Sequence, residues 1–273
     1  EVLELLKKKV GAKSVDDINL TEFNKYAQKK FLANQDIVRG QNPNIAVILA
    51  EGGVVKKGDG LSSEKINKLI REARNDKNIK AIVFRVNSPG GSALASDEIW
   101  REVMLAKAEK PVIVSMGDVA ASGGYYIAAP ATKIFAESTT ITGSIGVFGV
   151  IPYTGAMLEN KLGLSFDRVG TNERSVLSTN QKLSDEEFAI VQDEVDFIYD
   201  QFLDRVAKGR GMSKKDVNEV ARGRVWTGKD AVKIGLVDEL GGLKDAIAYA
   251  LKEVEIDESD AKVAYYPKRK VAP

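Results

Sequence analysis

The sequence contains neither cysteine nor histidine. Without cysteine the chain can form no disulfide bond, and it has no thiolate to act as a nucleophile or a metal ligand. Without histidine it lacks the commonest general base and a frequent metal ligand. Any catalysis must therefore use serine, threonine, lysine, tyrosine or carboxylate side chains, and we expect no metal and no other cofactor.

Long apolar runs and an excess of one charge are also missing. Apolar runs such as Ile45–Ala50 have the length of a buried strand and fall far short of the roughly 20 residues that a membrane helix needs. The 40 basic and 39 acidic residues nearly cancel, so bulk charge indicates neither a nucleic-acid partner nor a polybasic membrane patch. Because the chain starts at Glu1 with a charged stretch instead of a signal peptide, we expect a fragment whose membrane anchor lies outside it.

The distribution of polar and apolar residues predicts three parts. Residues 1–43 are polar, contain few strand-like runs and end at a proline flanked by asparagines, so we expect a helical connecting arm. Residues 44–251 combine strand and helix patterns and form the expected domain. The remaining residues, 252–273, are expected to form a C-terminal tail.

Apolar runs alternate with helical patterns in the central part. Three of these runs are predicted to be buried parallel strands: Ile45–Ala50, Ala81–Val86 and Pro111–Met116. Repeated strand and helix units imply an α/β layered fold. Further on, Ser184 and Glu187 predict a capping box that begins a long helix. The apolar stripe that starts at Phe188 on this helix is expected to pack on the sheet or, less readily, on another subunit.

The first motif with chemical meaning is Arg85-Val-Asn-Ser-Pro-Gly-Gly91, which follows a predicted strand and precedes a helical segment. Pro89 restricts φ, whereas Gly90 and Gly91 can adopt conformations that are closed to other residues. Main-chain N–H groups in such a turn can point outward at a bound oxygen. The alternative interpretation is a plain turn between a strand and a helix.

The second motif, Gly117-Asp-Val-Ala-Ala-Ser-Gly-Gly-Tyr-Tyr126, also joins a strand to a helical segment. Ser122 lies at the turn between small residues, where its Oγ has little steric cover. The helix N-terminus favours developing negative charge, and Gly123 could donate its amide to the same oxyanion. The alternative interpretation is that Ser122 only caps the helix.

Together the two motifs are more specific than either alone. Each follows the C-terminal end of a predicted parallel strand, and ligand and catalytic groups collect at that edge in open α/β sheets. A third segment, Thr142–Gly149, alternates small and apolar residues in the manner of a strand that lines a narrow groove. An extended peptide could add to such a segment as a further strand.

In this order and spacing the three motifs resemble those of the protease IV family, which is also called signal peptide peptidase A. Two later segments, Gly223–Ala231 and Gly235–Gly241, fit the same family, and the resemblance spans roughly Ile45 to Leu251. It implies a ClpP/crotonase-like spiral of ββα units with a long C-terminal helical region.

The resemblance also implies roles for particular residues. Ser122 would be the nucleophile of a Ser/Lys dyad, and Gly90, Gly91 and Gly123 would form the oxyanion hole. No cofactor and no metal are implied.

The lysine of this dyad has no obvious counterpart in the chain. Short members of the family carry serine and lysine in one domain, whereas long members have tandem repeats with the lysine in the N-terminal one. Just past Thr171, where a short member would have its lysine, this sequence has Arg174, whose guanidinium does not give up its proton. The chain therefore resembles the C-terminal repeat of the long form. Lysines elsewhere have no motif support and are expected to be surface charges: Lys133, Lys161 and Lys182.

The expected function is that of a serine endopeptidase that cleaves signal peptides or other small unfolded polypeptides. The resemblance implies a peptide substrate, the N-terminal repeat of the same protein and a tetramer-like, dome-shaped homo-oligomer as partners. It also implies a place in the bacterial cell envelope, at the inner membrane and facing the periplasm. Two alternatives remain open: a catalytically silent repeat that scaffolds a membrane-associated complex, and a crotonase-type acyl-CoA enzyme. The second is disfavoured, since such enzymes use glutamates and Gly117–Tyr126 contains none.

Overall fold

A computed structural model describes residues 2–11, 14, 42–167, 169–172 and 178–267. Its internal contacts divide the chain into two units, Glu1–Pro43 and Asn44–Pro273. In the first unit, the described residues form helix α1 (Val2–Val10). All the elements described below belong to the second unit.

The second unit is built on an eight-stranded sheet with a separate two-stranded pair, counted over the described residues. The strands are β1 (Ile45–Glu51), β2 (Val54–Val55), β3 (Leu61–Ser62), β4 (Ala81–Ser88), β5 (Val112–Ala121), β6 (Lys133–Ala136), β7 (Ile141–Gly143), β8 (Val225–Thr227), β9 (Glu239–Leu240) and β10 (Val263–Tyr266). The main path through the sheet runs β10-β1-β4-β5-β6-β9, and β7 pairs with β5 and with β8. Only the β7–β8 pair is antiparallel among these strands.

Helices cover both faces of this sheet. They are α2 (Ser63–Asn75), α3 (Ala93–Lys107), α4 (Gly123–Ala128), α5 (Gly155–Leu162), α6 (Asp185–Arg210), α7 (Lys214–Val220), α8 (Gly228–Lys233) and α9 (Leu243–Glu253), followed by a 3-10 turn (Glu258–Asp260). Within the described ranges, no helix combines the length and the apolar character needed to cross a lipid bilayer.

The burial of β1 explains why its sequence is continuously apolar. Ala46 and Ile48 belong to the core under α2, α3, α4 and α6, whereas Ile45 and Val47 belong to the core under α9. Successive side chains of a strand point to opposite faces, so a strand covered on both faces has no position left for a polar residue. The predicted α/β layered fold with buried parallel strands is confirmed, and β1, β4 and β5 are parallel neighbours.

The C-terminal segment differs from the expected tail. Val263–Tyr266 forms β10, which pairs in parallel with β1 at the edge of the sheet. The main chain of Lys262 accepts hydrogen bonds from Asn44 and Ile45, at 2.8 and 3.2 Å. A four-residue edge strand is held mainly by main-chain bonds, which leave little periodicity in the sequence from which to predict it. Residues 268–273 lie outside the described residues.

The predicted capping box at the start of α6 is confirmed. Ser184 Oγ accepts from the Glu187 amide at 3.1 Å, and the Glu187 carboxylate accepts from the Ser184 amide at 2.9 Å. The apolar stripe of this helix has two environments: Phe202 is buried against α4, but Phe188 is 61% exposed. Packing on the domain therefore accounts for only the C-terminal half of the stripe.

Candidate active site

Ser122 occupies the turn between β5 and α4 in an unusual main-chain conformation, with φ 52° and ψ −121°. Positive φ is uncommon in a residue with a side chain, and such strain persists only where the surrounding structure imposes it. Here the Ser122 amide donates to the Gly143 carbonyl at 2.9 Å, and the Ser122 carbonyl accepts from the Tyr126 amide at 2.9 Å. The side chain makes no capping hydrogen bond, so the alternative that Ser122 only caps the helix is wrong.

The two glycines after Ser122 allow α4 to begin directly against the end of β4. A Cβ atom on Gly123 would lie 2.5 Å from Ser96 Oγ, and one on Gly124 would overlap the Ser88 carbonyl oxygen. Any side chain at either position would push α4 away from the Pro89–Ser92 turn. The Ser-Gly-Gly sequence is thus explained by close packing between the two motifs.

The Pro89–Ser92 turn lies directly on Ser122. Gly90 has φ 100°, and a Cβ atom there would lie 2.7 Å from both Ser122 Cβ and the Gly123 nitrogen. Gly91 has φ 153°, a value that residues with a side chain rarely adopt. The fold therefore brings together four residues that the sequence analysis selected from segments about thirty positions apart: Gly90, Gly91, Ser122 and Gly123.

The main-chain amides of this turn are not equivalent. The Gly90 amide donates to Ser88 Oγ at 3.2 Å and is therefore directed back into the turn. Gly91 forms a parallel β-bridge with Val54, and the hydrogen bonds of this bridge are made by the two neighbours of Gly91. The Gly90 carbonyl accepts from the Val54 amide, and the Ser92 amide donates to the Val54 carbonyl. The Gly91 N–H consequently faces the opposite side, toward the start of α4.

The Gly123 amide completes a pair with that of Gly91. Gly123 is the first residue of α4, and the first N–H groups of a helix have no intrahelical acceptor. The Gly91 nitrogen lies 3.2 Å from where a Cβ atom on Gly123 would be. Two N–H groups beside Ser122 can thus point at one oxygen atom. The expectation that Gly90 also donates is not met, because its N–H is already directed at Ser88.

Ser122 opens into a groove of about 1070 Å³. One wall is the Pro89–Ala93 turn, a second is the segment Ser144–Gly149, and a third is the face of α6 from Gln192 to Phe202. Tyr126 also lines the groove beside Ser122. The third sequence motif is therefore part of this groove, and Phe148 within it is 86% exposed.

The lining of this groove contains no lysine among the described residues, and Arg222 is its one cation there. Asp196 is the one carboxylate in the same lining. Of the lysines considered from the sequence, Lys133 pairs with Glu239 at 3.3 Å and Lys182 lines an adjoining cavity. Lys161 lies on α5. Arg174 and the other residues from 173 to 177 lie outside the described residues.

Two partly buried lysines can be compared with a catalytic base, because partial burial lowers the pKa of both Lys107 and Lys110. Lys107 is the last residue of α3, and a helix of 15 residues is about 20 Å long, which separates it from the Gly91 turn at the other end. Lys107 donates to the Ala131 carbonyl at 3.1 Å, and Lys110 to the Ala73 carbonyl at 2.9 Å. Neither lysine belongs to the Ser122 groove.

Two serines near Ser122 were missed by the sequence analysis. Ser96 is fully buried, and its Oγ donates to the Ser92 carbonyl at 2.9 Å beside Gly123. Ser144 lines the groove with a positive φ of 48°. The sequence around Ser96 gives no sign of a functional role, apart from the small residues near it at the start of α3. Ser144 belongs to the Thr142–Gly149 motif, which was interpreted as one segment and not residue by residue.

Two tyrosines anchor α4, the helix that begins at the candidate site. The hydroxyl of the fully buried Tyr125 donates to the Leu236 carbonyl at 2.8 Å. The Tyr126 hydroxyl donates to Asp97 at 2.7 Å, and its ring lies 4.7 Å from that of Phe202. Burial raises the pKa of both tyrosines well above the ordinary value, so both hydroxyls stay protonated at neutral pH.

We expect Tyr125→Phe to lower the free energy of unfolding by about 1 kcal/mol at neutral pH, since the Leu236 carbonyl loses its donor. A tyrosine with a raised folded-state pKa contributes stability that is complete below its unfolded-state pKa of about 10 and is lost as the pH rises through the folded-state value. The difference between variant and wild type should therefore shrink above pH 10. Urea denaturation at pH 7 and pH 11 measures it, with the half-exposed Tyr153→Phe as control, and an equal difference at both pH values would contradict the assignment.

No group of three or more Asp or Glu side chains that could hold a metal ion occurs among the described residues. What the arrangement offers is a strained serine at the C-terminal edge of a parallel sheet, two main-chain amides close to it and an open groove. These are the parts that acyl transfer to a serine requires, apart from a general base.

Comparison with protein families matches two descriptions to this chain. Residues 104–257 match "Peptidase family S49". Residues 45–142 match "Clp protease". In solved structures, a ClpP1 mutant from Listeria monocytogenes superposes with a TM-score of 0.53 and 17% sequence identity, covering 79% of this chain and 99% of that one. The chain therefore has a ClpP-like fold.

Curated relatives are more similar in sequence. The chain is 38% identical over 266 residues to "Serine protease SPPA, chloroplastic" from Arabidopsis thaliana, which covers 94% of this chain and 39% of the relative. It is 43% identical over 246 residues to "Protease 4" from Haemophilus influenzae, covering 87% of this chain and 39% of the relative. The chain thus spans about two fifths of the length of these relatives.

Proposed function

Because this chain belongs to peptidase family S49, a family of serine peptidases, we propose that it is the serine-bearing part of a Ser/Lys endopeptidase with Ser122 as nucleophile. The observation that carries the proposal is that Ser122 lies beside the Gly91 and Gly123 amides in one open groove. Its main chain is strained, and its side chain makes no capping hydrogen bond. Gly91 lies about thirty residues before Ser122 and Gly123 in the chain, so a chance turn does not account for their proximity.

The proposed reaction is an acyl transfer in two steps. An unprotonated lysine amine takes the proton of Ser122 as its Oγ attacks the peptide carbonyl, and the Gly91 and Gly123 amides bind the oxyanion. The lysine then gives its proton to the leaving amine, which departs and leaves an ester on Ser122. A water molecule, deprotonated by the same lysine, hydrolyses this ester and restores the free serine.

In this mechanism Gly90 contributes through its lack of a side chain. Its Cα lies against Ser122 and Gly123, so a Cβ atom would occupy the space in which the two must approach. We assign the donor role to Gly91 and Gly123, and to Gly90 the role of keeping the turn close to the nucleophile.

The substrate we propose is a polypeptide in extended form. Ser144–Gly149 forms one wall of the groove and belongs to no helix or strand, and in this proposal a peptide laid along it forms main-chain hydrogen bonds as an added strand. The exposed Phe148 and the apolar residues of α6 provide contacts for apolar side chains. Released signal peptides and other small unfolded polypeptides fit this description, since a folded substrate cannot supply an extended strand.

The lysine, in this proposal, comes from an N-terminal repeat of the same protein. The absence of a lysine from the described lining of the groove supports a base from elsewhere, and so does the length of the relatives, of which this chain covers about two fifths. Two exposed aromatic side chains of α6 support a further contact between subunits in a dome-shaped homo-oligomer: Phe188 and Phe197. The proposed location is the bacterial inner membrane, facing the periplasm, with the anchor in another segment.

The source of the lysine can be tested by reconstitution. We expect this chain alone to hydrolyse a fluorogenic peptide at the background rate, and activity to appear when the N-terminal repeat is added. A Lys→Met scan of that repeat should find one lysine whose loss abolishes the reconstituted activity. Activity of this chain alone would contradict the proposal, because it would place the base within these 273 residues.

A catalytically silent scaffold repeat is the second candidate, and the lack of a lysine in the described groove lining is the observation that favours it. The two candidates differ in one measurement. A scaffold leaves both this chain and the reconstituted protein inactive toward peptides, and Ser122 then fails to react with a fluorophosphonate in either sample.

A further inference from the structure

We propose that Val54 is a positioning residue whose main chain aims the Gly91 amide at the site of the oxyanion. Gly52–Val55, which we call the strap, lies between β1 and the Pro89–Ser92 turn. The inference rests on the proposed function, because it concerns the donor that the mechanism assigns to Gly91. It adds a residue that contacts neither the substrate nor Ser122.

The hydrogen bonds of Val54 hold the turn at two points. The Val54 amide donates to the Gly90 carbonyl at 2.8 Å, and the Val54 carbonyl accepts from the Ser92 amide at 2.9 Å. These bonds lie on either side of Gly91 and determine the orientation of the peptide unit between Gly90 and Gly91. With the Gly90 carbonyl directed at the strap, the Gly91 N–H of the same planar unit must face away from it, toward Ser122.

Without the strap, nothing local in the turn favours this orientation. Gly90 and Gly91 adopt φ of 100° and 153°, and glycine visits many other conformations with little cost. A rotated peptide unit would place the Gly90 carbonyl oxygen in the position of the N–H donor. Gly91 also packs so closely on Val54 that a Cβ atom would overlap the Val54 carbonyl oxygen. Gly91 therefore allows the peptide unit to rotate, and its lack of a side chain also allows Val54 to come close enough to prevent that rotation.

The strap is itself held in place by the domain. The Val54 side chain is buried in the core, and the Gly52 amide donates to the Asn87 carbonyl at 3.0 Å. Beyond the strap, Lys56 pairs with Glu98 of α3 at 3.0 Å, and Glu98 also accepts from Ser63 Oγ at 2.6 Å. The Ser63 hydroxyl and the Lys56 ammonium hold the pKa of Glu98 below its usual range, so this anchor is charged at neutral pH.

The chain offers a matched pair of variants for the test, because Val54 and Val55 are neighbours of the same type. Replacement of either by α-hydroxyisovaleric acid exchanges one main-chain N–H for an ester oxygen and keeps the side chain. At position 54 the bond to the Gly90 carbonyl is lost. At position 55 the altered oxygen faces β3, because successive main-chain groups of a strand point to opposite sides. This exchange also makes the Val54 carbonyl an ester carbonyl, a weaker acceptor for the Ser92 amide, but it leaves the bond from the Val54 amide to the Gly90 carbonyl intact.

In the full-length protein we expect the ester at position 54 to lower kcat by on the order of 100-fold with little change in KM, since an oxyanion donor acts in the transition state. The ester at position 55 should lower kcat by less than about tenfold, because it only weakens the Ser92 bond and keeps the bond to the Gly90 carbonyl. Equal kcat for the two esters would overturn the inference while leaving the proposed function intact. Full activity of Ser122→Ala would instead overturn the proposed function.

A surface variant covers the case in which the ester at position 54 does not fold. Glu98→Ala removes the anchor beyond the strap at a partly exposed position, and it leaves the buried Ser63 hydroxyl without its acceptor. We expect a smaller fall in kcat with unchanged KM, in a protein that still folds with a somewhat lower melting temperature. A wild-type kcat in this variant would count against the role of the strap.

Discussion

Replacement of Ser122 by alanine in the full-length protein should lower kcat for peptide hydrolysis by about 10⁴-fold or more, as removal of a serine nucleophile does in other serine peptidases. The reason is that no other side chain can form the acyl-enzyme at this turn. The residual rate would come from the two amides and from substrate binding. Hydrolysis of a fluorogenic peptide at saturating concentration measures the effect.

The same substitution should change stability little. Ser122 Oγ makes no capping hydrogen bond, so its removal leaves no capping partner unsatisfied, and alanine meets the same main-chain strain as serine. Ser138→Ala, in an exposed loop, is the matched control and should have wild-type kcat and melting temperature. Retention of activity by Ser122→Ala would show that another residue is the nucleophile.

Gly90→Ala should have the second largest effect, a fall in kcat on the order of 10²–10³-fold, which is typical of a lost oxyanion donor. The new Cβ would lie 2.7 Å from Ser122 Cβ and from the Gly123 nitrogen, closer than atoms approach without a shift. The neighbours are main chain and the first side-chain atom, so they cannot rotate away. The nucleophile and one donor must therefore separate.

Gly58→Ala is the control that isolates this steric effect. Gly58 has nearly the same conformation, with φ 107° against 100°, but a Cβ atom there would meet nothing within 4 Å. Both substitutions place alanine at an unfavourable positive φ, which costs on the order of 1 kcal/mol. We expect Gly58→Ala to lose stability and keep its kcat. An equal loss of kcat in both variants would mean that strain in the main chain, and not crowding of Ser122, is responsible.

The parts of this protein that its sequence determined alone are those with local causes. Strands buried on both faces must be continuously apolar, so Ile45–Ala50 and Ala81–Val86 were recognisable without any knowledge of their neighbours. Proline restricts φ at its own position and glycine allows conformations closed to other residues, which is why the Gly90 and Ser122 turns were recognisable. The absence of histidine and cysteine limited the possible catalytic groups to serine, threonine, lysine, tyrosine and carboxylate side chains.

Interactions between distant segments were decided only by the tertiary structure. No local pattern links Val54 to Gly91 or Ser96 to Gly123, because these contacts depend on the register of β4 against its neighbours and on the packing of α3 and α4. The same reason explains why Gly90 was predicted to be an oxyanion donor. Gly90 and Gly91 are adjacent glycines of one turn, and only the folded chain directs the Gly90 amide at Ser88.

The use of Ser122 also required the fold. A serine before a helix most often caps it, and the sequence leaves both uses possible. The bonds of Ser122 to Gly143 and Tyr126 hold it at a positive φ at which its side chain makes no capping hydrogen bond, and Gly143 comes from a different segment of the chain. Residue types along the sequence thus determined which groups are present at the site, and tertiary contacts determined which way each group points.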